Sequence, residues 1–197
     1  MKYFFDTEFF ENGKTIDLFS IGIVCEDGRE LYAEHRDFDA TKCIDTMFFT
    51  NDFWVWDHVI EPIVKVKRQK EYTNDFEMFH MLREYLLANG CSKEEIKNKI
   101  IEFIGDDESP QFYAYYAAYD WVVFCQIFGR MIDLPKKFPM YCVDLKQKLD
   151  DLNLNENWKN YHCSNPLGEH NALIDAKWNM KLYKNLEHES LRQLLKL

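Results

Sequence analysis

The sequence predicts an α/β protein whose mixed β-sheet opens with antiparallel strands and carries helices packed on its faces. Three apolar segments joined by short turns open the chain, and strand-like and helix-like patterns alternate after about residue 110. At 197 residues the chain has the size of one ordinary domain. We therefore expect a single domain over residues 1–197, with a helical insertion at about residues 40–110.

The first three strands are predicted to form an antiparallel meander. Lys2–Asp6 is aromatic, and after a turn the segment Thr15–Cys25 is rich in isoleucine, leucine, phenylalanine and valine. Asp27 and Gly28 form a strong hairpin signal before a third strand at Glu30–Glu34. These strands make up the antiparallel part of the predicted sheet.

The middle third of the chain is predicted to be helical. Asn74–Asn89 has apolar residues at helical spacing and ends at Gly90, which is a common C-terminal stop. Ser92 and Glu95 have the spacing of a capping box, which predicts a helix over Lys93–Ile104. These helices form the insertion.

Strand and helix patterns alternate in the last third. Strands are predicted at Gln111–Ala118 and Met140–Val143. An asparagine-rich stretch near residue 155 is expected to be irregular. The predicted helices are Tyr119–Met131, Asp144–Asp151, Asn171–Leu186 and Glu189–Leu195. A ribonuclease-H-like α/β arrangement fits this order of elements.

Charge and cysteine content limit the possible functions. Lys and Arg total 24 against 34 Asp and Glu, and a net charge of -10 argues against holding nucleic acid by bulk electrostatics. A polyanionic partner must be held locally, and one candidate phosphate contact is the basic run Lys65, Lys67, Arg68 and Lys70. The six cysteines lack a C-x-x-C pair, and no apolar run approaches the ~18 residues of a membrane span. We expect a cytoplasmic protein with no membrane partner.

Asp6 and Glu8 are the first candidate site residues. Side chains two apart on a strand point to the same face, so both carboxylates aim at one spot that could hold a cation. Chance alone predicts about six such acid-x-acid pairs in this chain, so the pair by itself is weak evidence. Its neighbours Phe5 and Phe9 are apolar, and unpaired carboxylates there would be costly without a metal or partner.

Three later residues extend this candidate site. Asp120 is the one charge in an apolar run, and it is either the N-cap of the next helix or a carboxylate brought beside the first pair. His170 and Asp175 are about one and a half helical turns apart, so their side chains would not share a helix face. We expect His170 on a mobile lead-in, with Asp175 on the helix and facing the sheet.

The order of these residues along the chain resembles that of the DEDDh 3'-5' exonucleases in the ribonuclease-H-like superfamily. More narrowly, the chain resembles the small bacterial and phage 3'-5' exoribonuclease branch. The resemblance is carried by the segments Tyr3–Phe9, Ser20–Val24, Ala118–Asp120, Cys125–Gly129 and His170–Ala176. Broader DEDDh families often have His-Asn before the middle motif, where this chain has Tyr115 and Tyr116.

This resemblance implies a 3'-5' exoribonuclease that uses two Mg²⁺ or Mn²⁺ ions and releases nucleoside 5'-monophosphates from single-stranded RNA ends. His170 would be the general base, which suits an imidazole near neutral pH, and Glu8 would also take part in catalysis. Thr7, Phe9 and His170 would contact the substrate. The ions would compensate four converging carboxylates, namely those of Asp6, Glu8, Asp120 and Asp175.

Two other functions remain open at this stage. The motifs do not separate RNA from DNA, so a 3'-5' exodeoxyribonuclease is one alternative. A catalytically silent nucleotide-binding protein of the same fold is the other, although all five motif residues are present. The resemblance also implies a homodimer, whose interface could come from the aromatic middle region or the last amphipathic helix.

Overall fold

The structure is a computed structural model that describes residues 1–64 and 74–195. Its strands are β1 (Lys2–Glu11), β2 (Ile16–Cys25), β3 (Glu30–Glu34), β4 (Gln111–Ala114) and β5 (Val143–Asp144). They form one sheet in the order β3-β2-β1-β4-β5. The first three strands pair antiparallel, whereas β4 is parallel to β1 and β5 is parallel to β4. The predicted mixed sheet is confirmed.

Eight α-helices accompany the sheet within the described ranges. They are α1 (Ala40–Thr50), α2 (Glu61–Val64), α3 (Asp75–Asn89), α4 (Lys93–Ile104), α5 (Ala118–Phe128), α6 (Leu145–Asp151), α7 (Glu156–His162) and α8 (Ala172–Leu194). A π-helical turn, Trp56–Ile60, runs into α2, and a 3-10 turn, Met131–Asp133, follows α5. No helix in the described part of the chain is long and apolar enough to cross a membrane.

The two faces of the sheet carry different helices. Helices α4 and α5 cover the face that contains Phe5, whereas α6 and α8 cover the face that contains Phe4 and pack there through residues such as Leu182. Side chains alternate along β1, so Asp6 and Glu8 continue the row of Phe4 toward α8. The aromatic core therefore lies behind the acids, and α8 lies in front of them.

Of the helices predicted to form an insertion at about residues 40–110, α4 packs in the core of the Phe5 face, and the others form a third apolar cluster. Residues of α1, α2, α3 and the π-helical turn pack against Phe10 and Phe19 of the sheet. The capping box of Ser92 and Glu95 is present at the start of α4, as the sequence predicts. The basic run Lys65, Lys67, Arg68 and Lys70 lies outside the described residues.

Strand β1 is longer than predicted. It continues to Glu11 because its pairing with β2 extends along its whole length. Its pairing with β4 ends at Phe4. Asp6 and Glu8 therefore lie within the strand, and not at its end, immediately beyond the part that β4 covers.

Strand β4 is shorter than predicted. It ends at Ala114, since Tyr116 has a φ of 54° and this left-handed conformation cannot continue a strand. The chain turns there and enters α5. The last strand is also displaced from the prediction, to Val143–Asp144.

Two predictions for the last third of the chain were wrong: the asparagine-rich stretch was expected to be irregular, and two separate helices were expected at the end. The asparagine-rich stretch forms α7, whose first turn is capped by Asn155 accepting a 3.0 Å hydrogen bond from the Trp158 N–H. The two helices predicted at the end of the chain are one helix, α8, because no glycine or proline interrupts the segment between Leu186 and Glu189. The continuous helix gives the front face of the sheet one rigid cover.

The first turn of α8 touches the sheet at Gly22. A Cβ at Gly22 would lie 2.3 Å from the carbonyl carbon of Ala172 and 2.4 Å from the Cα of Leu173. Gly22 is also the residue that pairs with Asp6 across β1 and β2. Glycine at this position therefore lets the beginning of α8 approach the strand pair beside Asp6.

We expect Gly22→Ala to lower the free energy of unfolding by more than about 3 kcal/mol, because its methyl group would overlap backbone that cannot move independently. Gly13→Ala is the matched control. Gly13 has a φ of 78°, and a Cβ there would meet nothing within 4 Å, so that change should cost only about 1 kcal/mol of backbone strain. Urea denaturation measures both, and equal losses would contradict the close contact at Gly22.

Candidate active site

Three carboxylates converge between β1 and α8. One oxygen from each of Asp6, Glu8 and Asp175 lies within 4.8 Å of the others. The two strand residues share a face because they are two apart, and Asp175 lies in the first turn of α8, which the Gly22 contact holds against the sheet. The spacing suits several oxygen ligands around a divalent cation.

Asp120 approaches the same place from the other face of the sheet. It is in the first turn of α5, and Ala117 is the N-cap residue, so the alternative that Asp120 is an N-cap was wrong. The Thr7 backbone N–H donates a 2.9 Å hydrogen bond to Asp120 Oδ1, and the Thr7 hydroxyl donates one of 2.7 Å to the same atom. These two bonds orient the Asp120 carboxyl group beside β1.

Burial raises the pKa values of all four acids, and repulsion within the cluster adds to this effect for Asp6 and Glu8. Burial, with repulsion from Asp120, Glu8 and Asp175, holds the pKa of Asp6 well above its ordinary range. Burial, with repulsion from Asp175 and Asp120, raises the pKa of Glu8 to about 8.

The pKa values of Asp120 and Asp175, which both accept hydrogen bonds, are raised less than those of Asp6 and Glu8. Burial raises the pKa of Asp120 to about 6, although the bonds from Thr7 act in the opposite direction. Burial likewise raises the pKa of Asp175 to about 6, against a hydrogen bond from the His170 backbone. The protein itself therefore does little to compensate the negative charge of the fully ionised cluster.

The cluster fits a divalent cation by its charge and by its donor atoms. Among the described residues, no side-chain nitrogen of a lysine, arginine or histidine lies within 4.0 Å of a carboxylate oxygen of the four acids. Buried carboxylates without a cationic partner are costly, and carboxylate oxygens are the ligands that Mg²⁺ and Mn²⁺ prefer. The residues that could hold such ions are Asp6, Glu8, Asp120 and Asp175.

His170 stands just before α8, on a strained backbone. Its φ is 69°, and its backbone N–H donates a 2.8 Å hydrogen bond to Asp175 Oδ2. The next residue, Asn171, caps the helix through its side chain. His170 therefore precedes the helix and Asp175 lies in its first turn, as the sequence predicts.

Two aromatic side chains of the insertion reach His170. The Trp54 ring meets the His170 ring edge-on at a centroid distance of 4.9 Å, and the His58 ring lies 6.0 Å from it. Trp54 and His58 also stack on each other. Sequence reasoning did not identify either residue, because a contact over more than a hundred positions leaves no local pattern.

The acids and His170 open onto a cleft of about 420 Å³. All seven residues that the sequence singles out line it, namely Asp6, Thr7, Glu8, Phe9, Asp120, His170 and Asp175. Phe9 packs edge-on against Tyr119 at a centroid distance of 6.0 Å. The structure thus brings every predicted site residue to one concave surface.

The cleft also contains residues that sequence reasoning missed. Lys159 and Trp178 both line it. Tyr115 and Tyr116 line it as well, and the resemblance singled them out only as a departure from the family pattern. Lys159 lies on α7, the helix that the sequence does not predict. A capping pattern beginning at Asn155 was the available signal for that helix.

The central strand of the mixed sheet carries two acids that face the cleft, and a flanking helix on each face of the sheet adds one more acid. These features, with this strand order, define a ribonuclease-H-like α/β protein with an acidic cleft. The model of the 3'-5' exoribonuclease Rv2179c-like domain matches residues 1–186 of the chain. The chain belongs to this family.

Two relatives from Mycobacterium tuberculosis are similar over most of the chain. They are the 3'-5' exoribonuclease Rv2179c of strain ATCC 25618 / H37Rv and the 3'-5' exoribonuclease MT2234.1 of strain CDC 1551 / Oshkosh. Each is 31% identical to this chain over an alignment of 190 residues, which covers 93% of this chain and 92% of the relative. The family match over residues 1–186 includes the first strand, α5 and the beginning of α8, which carry the acids of the cleft.

The raised pKa values predict how stability depends on pH. The folded protein binds protons that the unfolded chain releases, so the acids contribute stability that is complete below about pH 4, the ordinary range of carboxyl groups. This contribution is lost as the pH rises through about 6 for Asp120 and Asp175 and about 8 for Glu8.

In a chelator, we expect the protein to become less stable between pH 5 and pH 8. Asp6→Asn should flatten this profile and raise the free energy of unfolding at pH 8 by about 1 to 3 kcal/mol, because it removes a carboxyl group whose ionisation is opposed by burial and by repulsion from the neighbouring acids. Asp151→Asn, at an exposed position outside the cleft, is the control and should leave the profile unchanged. Thermal unfolding measures all three, and parallel profiles for wild type and Asp6→Asn would contradict the repulsion.

Proposed function

We propose that the protein is a metal-dependent 3'-5' exoribonuclease of the DEDDh type, which hydrolyses single-stranded RNA ends to nucleoside 5'-monophosphates by a two-metal-ion mechanism. The observation that carries this proposal is the convergence of Asp6, Glu8 and Asp175 within 4.8 Å, in the cleft that His170 also lines. Membership of an exoribonuclease family and relatives named 3'-5' exoribonucleases support RNA as the substrate class.

The four acids are the proposed metal ligands. Two bound Mg²⁺ or Mn²⁺ ions would neutralise the cluster and stabilise the charges of the attacking and leaving oxygens. Asp6 and Glu8 present their carboxylates from one strand face, and Asp175 closes the group from α8. Asp120 is aimed from the opposite side by the two Thr7 hydrogen bonds.

His170 is the proposed general base. An imidazole that lines the cleft can accept the proton of the attacking water, and Glu8 would take part by orienting that water. The backbone bond to Asp175 fixes the position of His170 relative to the acids, while the edge of Trp54 limits its rotation on the outer side. His170 thus combines a fixed backbone with a side chain supported from one side.

The terminal nucleotide is proposed to lie against Phe9, Thr7 and His170. Phe9 offers an apolar ring beside the acid pair. Thr7 has a second role, because its N–H and hydroxyl both donate to Asp120, so its contact with substrate would be made by atoms other than those two hydrogens. Thr7 therefore both positions a proposed metal ligand and forms the floor beneath the terminal nucleotide.

The proposal also covers the domain organisation, the location and the oligomeric state of the protein. We propose one exonuclease domain over residues 1–197, with the helices at about 40–110 as an insertion that adds Trp54 and His58 to the rim of the cleft. A cytoplasmic location and a homodimer stay predictions. Exposed aromatic side chains of the insertion, such as Phe49 at 92% exposure, are consistent with an interface there.

The first test uses 5'-labelled single strands of RNA and DNA with one sequence, in Mg²⁺, Mn²⁺ or chelator. We expect RNA to be shortened stepwise from a free 3' hydroxyl, no digestion of RNA with a 3' phosphate, and no activity in chelator. Asp175→Asn should abolish turnover, whereas Asp151→Asn should retain it.

Other outcomes of the same assay would contradict the proposal. Cleavage of a circular single strand, added to the assay as a further substrate, would indicate an endonuclease. Faster digestion of DNA than of RNA would favour the exodeoxyribonuclease. Binding of nucleotides without any hydrolysis, in either metal, would favour a silent protein of the same fold.

The second test separates the proposed base from the ligands. His170→Ala should lower the single-turnover rate by ~10²- to 10⁴-fold, the usual contribution of general-base catalysis, and leave metal affinity nearly unchanged by calorimetry. Asp6→Asn should reduce both. The control is His188→Ala, which removes an exposed histidine of α8 away from the cleft. Wild-type turnover in His170→Ala would exclude this residue from the reaction.

A further inference from the structure

Lys159 is a buried cation in an otherwise acidic cleft. Its side chain on α7 is nine-tenths buried, and of the described residues that line the cleft it is the one lysine, with no arginine among them. The acids on the same surface are Asp6, Glu8, Asp120, Glu169 and Asp175. A buried ammonium group is costly, so its place at this surface needs a physical reason.

The protein satisfies this ammonium group incompletely. Lys159 Nζ forms a 2.7 Å ion pair with Glu156 Oε2 and a 3.5 Å hydrogen bond to the Tyr115 hydroxyl. An ammonium group has three donors, and within the described ranges no protein acceptor contacts the third. Its partner Glu156 is 56% exposed, so water screens that pair on one side.

Two aromatic rings hold the Lys159 side chain in place. Nζ lies 5.3 Å from the centroid of the Tyr115 ring and 5.8 Å from that of Trp178, and these two rings pack edge-on at 5.1 Å. Trp178 is one helical turn after Asp175 on α8, so it fixes this wall of the cleft relative to the carboxylates. The charge is therefore held on a rigid support with a free donor.

We propose that Lys159 binds a phosphate of the RNA substrate inside the cleft. This inference rests on the proposed function, because it concerns the substrate of that same site. A chain with a net charge of -10 needs a local cation to hold a polyanion, and a lysine with one unused donor in the cleft meets that need. The candidate basic run near residue 65 is not required for this contact.

A second lysine provides a matched control. Lys148 also forms an ion pair with a glutamate, 2.8 Å from Glu187 Oε1, and its Nζ lies 5.2 Å from the centroid of the Tyr183 ring. It does not line the cleft. Replacing either lysine by methionine removes one positive charge, one ion pair with a glutamate and the cation–π contacts of that lysine, two at Lys159 and one at Lys148. Only Lys159 lines the cleft.

The test measures kcat and KM on single-stranded RNA at fixed Mg²⁺ over a series of KCl concentrations. Lys159→Met should lower kcat/KM about 10-fold through KM, with kcat changed by less than about twofold, because the lost contact forms before and during the reaction. The slope of log(kcat/KM) against log[KCl] should become shallower by ~0.7, the value for one phosphate contact on a single strand. Lys148→Met should change neither quantity.

A second pair of variants keeps Lys159 in place. Glu156→Gln removes the competing carboxylate and should raise kcat/KM about two- to fivefold, whereas Glu187→Gln should have no effect. A purely structural Lys159 predicts an unchanged salt slope in Lys159→Met and equal behaviour of the two glutamine variants, and either result would overturn the inference. Failure of the proposed function is distinguishable, because the wild-type protein would then not degrade RNA.

Discussion

The contact between the first turn of α8 and Gly22 is the constraint on which the site depends. Gly22 pairs with Asp6 across two strands, and only a residue without a side chain lets helix backbone lie against it. Deeper in the same helix, the buried Asn179 amide donates a 2.9 Å hydrogen bond to the Phe5 carbonyl of β1. These two contacts fix α8 against β1. The position of the helix backbone therefore sets the distance between Asp175 and the carboxylates of Asp6 and Glu8.

That geometry is destabilising in the absence of a counter-charge. Burial, with repulsion from the neighbouring acids, raises the pKa values of Asp6 and Glu8. The backbone near the acids is strained, since His170 and Tyr116 both have positive φ angles. The opposite face of the sheet offsets this cost with an aromatic core that includes Phe5 and Phe124, both fully buried. A site that combines repulsion with strain is expected where the protein binds a ligand that relieves the repulsion.

The sequence predicted the parts of the structure that depend on local patterns. Alternation on β1 correctly placed Asp6 and Glu8 on one face, and the spacing of Ser92 correctly predicted a capped helix. The sequence-based prediction failed where tertiary packing determines the secondary structure. Helix α7 is short and polar, and it is stabilised by the contact of its Lys159 with Trp178, which lies 19 residues further along the chain. The approach of Trp54 to His170 likewise depends on how the insertion folds back over the sheet.

The charges of the cleft connect substrate binding with metal binding. Five acids and one lysine line it, so an RNA end meets a repelling surface unless cations occupy the carboxylate cluster. In the proposed function the same ions would then permit binding and supply the chemistry, while Lys159 adds a fixed positive charge that does not depend on them. Because the net charge is negative, long strands gain little from the rest of the described surface. This combination favours recognition of a strand end that can enter the cleft over binding along a continuous strand.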